Sequence, residues 1–203
     1  MTTTSQVGRQ EQSSERRSQI LAIAARLIAS QGYSATTVRD IADEAGILSG
    51  SLYHHFSSKE AILEEILRSF LGELLDRFEE ITAAGGSPRE VLDKLIQYAF
   101  ETIERQPDAV GLYQNEASFL STQPGFEFVH EESLRIERIW LDQIEKGQRD
   151  GAFRKELDAS LAYRFIRDSV WSTVHWYRPG GRHTAASMCS NFLDLLQSGL
   201  LAD

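Results

Sequence analysis

The stretch "GILSGSLYHHFSSKE", Gly46 to Glu60, gathers glycine, four serines, two adjacent histidines and a tyrosine with little charge and little core. Such side chains suit a metal site, a hydroxyl-based active site, or a surface that lies against something polar. Adjacent histidines on a helix point about 100° apart, and no Cys or further His lies nearby at ligand spacing, so no metal ligands are assigned. A serine nucleophile needs a partner base and a glycine-flanked elbow; neither is present, so no catalytic residues are assigned. The third chemistry remains. Small residues permit close approach, while hydroxyl and imidazole groups bond phosphate oxygens and base edges.

The flanking pattern provides elements to aim that surface. "TTVRDIADEAG" predicts a helix capped by Thr37, with Asp40 three residues on and an apolar stripe of Val38, Ile41, Ala42 and Ala45. Ala45-Gly46-Ile47-Leu48 has the length of a helix-turn-helix turn. Ser49 is the expected cap of a third helix of about two turns, in which Ile47, Leu52 and Phe56 fill the interior. Before these, residues 1–13 lack periodicity and predict a mobile arm, and "SERRSQILAIAARLIASQG" predicts a first helix. After them, a long amphipathic helix opens at Ser57 or Ser58, and Ser87-Pro88, Pro107 and "TQPG" open three more. The segment "LAYRFIRDSVWSTVHWY" reads as apolar almost all round, and a last helix runs from about Thr184 to Leu200. The expected fold is all-α, with an arm (1–13), a three-helix head (14–57) and a larger helical domain (58–203).

The 203 residues carry a net charge of −9. Residues 1–57 hold equal numbers of basic and acidic side chains, so the whole excess belongs to the later part. The head is therefore not repelled from a polyanion. No apolar run approaches the ~20 residues of a membrane span, no h-region opens the chain, and the single Cys189 cannot form an intrachain disulfide. A cytoplasmic protein without a membrane partner is expected.

"ATTVRDIADEAGILSGSLYHHFSSKEAIL" resembles the DNA-binding region of the TetR family of bacterial transcriptional regulators, and the whole chain has that family's two-part layout. The resemblance implies a homodimer that places two recognition helices about 34 Å apart on palindromic double-stranded operator DNA. It makes Ser49 to Phe56 the recognition helix. Thr37, Tyr53, His55 and Lys59 become phosphate-contacting positions, Gly50, Ser51 and His54 approach bases, and Arg39 and Ser49 belong to the same surface. The arm around Arg16 and Arg17 is offered to an adjacent groove. The last two helices, with Trp176, Phe192, Leu193 and Leu196, become the dimer seam.

The family's larger domain holds an effector. Phe70, Leu74, Tyr98, Phe100, Tyr113, Phe119, Phe126, Phe128, Trp140 and Trp171 are candidates to line a cavity. "YRFIRDSVWSTVHWYRPGG" adds Arg164, Arg167, His175 and Arg178, with Arg167 and Trp171 on one helical face. Arginine is costly to bury unpaired, so Arg167 needs an anion: Asp168, an acid of a partner subunit, or a ligand phosphate. Together with "YQNEA", this segment resembles a branch of the family that represses steroid C- and D-ring catabolism in actinobacteria. That implies no resident cofactor but a CoA-thioester effector whose rings enter the aromatic cavity and whose phosphates meet arginines. The branch tends to carry arginine where His175 stands, and imidazole is mostly uncharged at neutral pH. An enzyme such as a thioester hydrolase is the competing class; it lacks a nucleophile–base pair.

Overall fold

Several helices begin where a side chain accepts one of the orphan N–H groups. In the computed structural model, which describes residues 3–120 and 122–198, with side chains from residue 14 onward, Thr37 caps α2 (Val38–Glu44) and Ser58 caps α4 (Lys59–Ala83). Ser87 caps α5 (Pro88–Arg105) in a capping box with Glu90, with Pro88 in its first turn. Asp158 caps α8 (Ala159–Trp171). The remaining helices are α1 (Thr3–Gln31), α3 (Ser49–Leu52), α6 (Pro107–Leu120), α7 (Glu127–Arg149) and α9 (Ala185–Ser198), with a 3₁₀ turn at Ser172–His175. Among the described residues there is no strand, and no helix is long and apolar enough to cross a membrane.

Three elements depart from the sequence pattern. The expected arm is helical from Thr3, so α1 extends ten residues or more beyond its apolar stripe; Gln, Arg and Glu there have good helix propensity and need no packing partner to be helical. The recognition helix is a single α-turn. Leu48 rather than Ser49 holds its N-cap position, with no side-chain cap bond. Beyond Leu52 the backbone tightens: His54 N–H donates to Ser51 O (3.2 Å) and His55 N–H to Leu52 O (2.9 Å). The segment after Asp158 is not apolar all round, since Leu161 and Phe165 are exposed while Tyr163, Ile166 and Val170 are buried. That is an amphipathic helix with an additional apolar stripe on the outside.

The core follows two long helices. α4 buries Ile62, Leu63, Ile66 and Leu67 beside the head and Phe70, Leu71, Leu74, Leu75, Phe78 and Ile81 within the larger domain. At 1.5 Å per residue it is about 37 Å long, enough to belong to both. α5 buries Val91, Leu92, Leu95, Ile96, Tyr98, Ala99, Phe100, Thr102 and Ile103 and packs on α4, α6, α7, α8 and α9. In the head, α1 lies on α2, α4 and α6, with Ile20, Ala24, Ile28, Ile41 and Leu52 fully buried.

The turn between α2 and α3 pivots on Gly46, whose φ is +67°. A Cβ there would meet nothing within 4 Å, so only backbone strain opposes a side chain. Gly46→Ala should therefore destabilise the chain by about 1–2 kcal/mol without a steric clash. Thermal unfolding of the variant measures this, and a melting temperature equal to the parent's would contradict the left-handed turn.

Candidate DNA-reading head and effector cavity

The α2 cap is closed from both sides. Thr37 Oγ1 accepts the Asp40 N–H at 3.1 Å, while Asp40 Oδ2 accepts the Thr37 N–H at 2.8 Å and the Thr37 hydroxyl at 2.7 Å. These bonds, the hydroxyl foremost, hold the exposed Asp40 carboxyl below its usual range. The Thr37 proton is thus committed to Asp40, although its side chain remains exposed. Across the turn, Ile47 N–H donates to Ala42 O at 3.0 Å and ties the turn to α2.

Leu52 and Phe56 turn inward, and Gly50, Tyr53 and His54 are exposed beside them. Ser49, Ser51 and His55 are half-buried. Arg39 is exposed and 3.6 Å from Asp43. Leu48, which the sequence placed only in the turn, is 79% exposed, the most exposed large apolar group described. An exposed apolar side chain at this edge suits a thymine methyl. Nothing in the apolar pattern separates it from Ile47.

Three basic residues offered to DNA are held by the head itself. Lys59 is half-buried, donates from Nζ to the carbonyls of Tyr33 and Thr36 at 2.8 Å each, and lies 4.0 Å from the Tyr33 ring centre. It ties the start of α4 to the end of α1. Arg16 donates to Ala45 O at 2.5 Å and to Gln19 Oε1 at 3.0 Å. Arg17 bonds Glu65 and the His55 carbonyl. Both arginines meet carbonyl or carboxylate oxygens within the chain, Arg16 on Ala45 and Gln19 and Arg17 on Glu65 and His55.

In the larger domain five helices enclose a cavity of about 90 Å³. Leu74 of α4, Ala99 of α5, Tyr113 and Gln114 of α6, Ser133, Ile136, Glu137 and Trp140 of α7, and Tyr163, Arg167, Val170 and Trp171 of α8 line it. Trp140 packs edge-on to Phe78 at 5.5 Å and tilts against Tyr163 at 6.3 Å. The Tyr113 hydroxyl and Ser133 Oγ lie 2.6 Å apart and bridge α6 to α7. Burial pushes the Tyr113 phenol above its usual range, against the opposing pull of Ser133 and Arg167; Tyr163, also buried, is raised to about 12. Both stay protonated at neutral pH.

Of the effector residues expected from the sequence, Leu74, Tyr113, Trp140, Arg167 and Trp171 line this cavity. Phe70 stands behind it, tilted against Tyr113 at 5.7 Å. Phe100 instead packs on Phe192 at 5.9 Å, as core between α5 and α9. His175 and Arg178 are exposed outside it, at and beyond the end of the 3₁₀ turn Ser172–His175 that follows α8. Tyr98, Phe126 and Phe128 are buried elsewhere, and Phe119 is 51% exposed. Arg167 Nε donates to Asp168 Oδ1 at 2.7 Å, which raises the guanidinium above its ordinary range. The neighbouring acid therefore already partners it. Ser133, Ile136 and Glu137 were missed, although their spacing with Trp140 marks one face of α7.

Residues 20–66 match the family model for bacterial regulatory proteins of the tetR family, and residues 85–200 match that for a tetracyclin repressor-like C-terminal domain. The chain belongs to the TetR family. It is 46% identical to the HTH-type transcriptional repressor KstR2 of Mycolicibacterium smegmatis, covering 93% of this chain and 92% of the relative. Against KstR2 of Rhodococcus jostii the identity is 45%, covering 92% of each chain. A solved structure described as the ketosteroid transcriptional regulator KstR2 of Mycobacterium tuberculosis superposes with a TM-score of 0.88 at 44% identity, over 93% of this chain and 96% of that one. As a TetR-family protein the chain is a DNA-binding regulator rather than an enzyme.

Asp40 gives this TetR head a pH dependence. Its folded carboxyl titrates below the unfolded one, so its stabilising contribution is complete above the ordinary carboxylate range and is lost as pH falls through the lowered value. Asp40→Asn removes that dependence. Thermal unfolding between roughly pH 5 and 2 should show a shallower acid loss for the variant than for the parent; equal slopes would mean the box does not contribute.

Proposed function

We propose that this TetR-family protein is a homodimeric repressor of steroid-ring catabolism genes, bound to palindromic operator DNA and released by a CoA thioester with a hydrophobic polycyclic acyl group. The observation that carries the effector reading is an aromatic-lined cavity with Arg167 in its wall, supported by the similarity to repressors that include a ketosteroid regulator. Apolar walls of Trp140, Trp171, Leu74 and Val170 suit fused rings, and a guanidinium suits phosphate or carboxylate oxygens.

The cavity size supports a switch. About 90 Å³ is far less than the ~300 Å³ or more of a filled ligand pocket. A ring system enters only by displacing the walls, and two of those walls also support the head. α4 carries Leu74 in the cavity and starts at the Ser58 cap beside the recognition element. α6 carries Tyr113 and Gln114 in the cavity, and one turn on Glu116 Oε1 accepts the Tyr33 N–H of the head at 2.9 Å. Ligand entry thereby changes the angle at which the two heads of a dimer present their recognition turns. A ligand that prefers the expanded form by about 10⁴-fold would empty a nearly saturated operator.

The dimer reading rests on the outer stripe of α8 and α9. Leu161, Phe165, Trp176, Leu195 and Leu196 are exposed together with Leu157, large apolar groups of the kind that a partner subunit covers. Phe192 and Leu193, expected at the seam, are half-buried, and Phe192 turns toward Phe100.

Fluorescence anisotropy on a palindromic duplex, with and without a bicyclic steroid-derived acyl-CoA, tests the release. The thioester should dissociate the complex where free CoA does not, and Arg167→Met should raise the concentration required about tenfold or more with operator affinity unchanged. Operator binding that ignores saturating thioester rejects the effector; liberation of free thiol would favour the hydrolase reading. Phe165→Glu should sediment as a monomer and lose operator affinity, whereas an intact dimer would move the seam elsewhere.

A further inference from the structure

Arg17 holds three elements with one planar group. Its Nε donates to Glu65 Oε1 of α4 at 2.8 Å, and a terminal nitrogen bonds the other oxygen of the same carboxylate. The remaining nitrogen donates to the His55 carbonyl, and the guanidinium carbon lies 4.1 Å from the Phe56 ring centre. The fork thus has a partner at every nitrogen, spread over α4 and the turn that follows α3, and its own Cα belongs to α1.

The segment it grips cannot orient itself. α3 is four residues long, too short to be helical without outside support. Its entry is set by Gly46 and the bond from Ile47 to Ala42. Its exit is set by the burial of Phe56 and by what holds the His55 carbonyl, a site where a cation is favoured. Lysine offers one nitrogen and no plane, and cannot bond Glu65 twice, bond His55 and cover Phe56 together.

We infer that Arg17 is a positioning residue for DNA reading: through Glu65 and the His55 carbonyl it sets the angle at which Gly50, Tyr53 and His54 meet the duplex, and it makes no phosphate contact of its own. The inference uses the DNA-binding assignment of the head and is independent of the effector.

The test takes the full chain, a duplex chosen by in vitro selection from a random pool, and an unrelated duplex of the same length, with affinities measured across roughly 50 to 200 mM salt. Arg17→Ala, Arg17→Lys and Glu65→Ala should each weaken the selected duplex about tenfold, leaving the unrelated duplex and the salt slope unchanged. The Arg17→Ala/Glu65→Ala double variant should be no worse than either single, because one joint is broken in both. Parallel loss on both duplexes, a slope reduced by about one and rescue by lysine would make Arg17 a phosphate contact and overturn the proposal. No loss in any variant would overturn it as well. Should Arg17→Ala melt early, Glu65→Gln decides, since it turns one acceptor into a donor facing the guanidinium; an unchanged ratio of selected to unrelated binding there is equally fatal.

Discussion

One continuous buried face on α4 supports everything the molecule does. Ile62 to Leu67 close the head, Phe70 to Ile81 close the larger domain, and no loop interrupts the helix between them. Each fully buried Leu, Ile or Phe contributes roughly 1.5–3 kcal/mol, so neither half can slide along α4 without exposing side chains of its own. A rod anchored in two clusters ties the position of each to that of the other.

The head also shows where its charge goes. Arg26 bonds Glu44 at 2.6 Å, Arg39 lies near Asp43, and Arg16, Arg17 and Lys59 are tied to carbonyls or to Glu65. The basic groups that a polyanion would attract are largely engaged in holding three short elements together. What remains at the exposed turn carries no Lys or Arg: Gly50, Tyr53, His54 and the apolar Leu48. Hydroxyl, imidazole and apolar groups of this kind suit base edges.

The polar groups of the cavity wall are already partnered: Tyr113 meets Ser133, and Arg167 meets Asp168 outside the lining. Breaking such a pair without replacing it is costly.

Local chemistry alone carried much of this. Thr37 with Asp40, Ser87 with Pro88 and Glu90, and the positive φ of Gly46 are written in residues adjacent along the chain, so caps, turn and helix order could be read without the fold. Leu74, Trp140, Arg167 and Trp171 could be named because bulky or charged groups stood out on apolar faces. Burial and partnership were decided by packing between distant segments. Only the fold shows that Phe100 faces α9, that α8 tightens to a 3₁₀ turn after Trp171 with His175 exposed, and that Arg17 turns to Glu65, 48 residues away. A side chain's type fixes which bonds it can make; which neighbour arrives to make them depends on how helices far apart in the chain come to lie together.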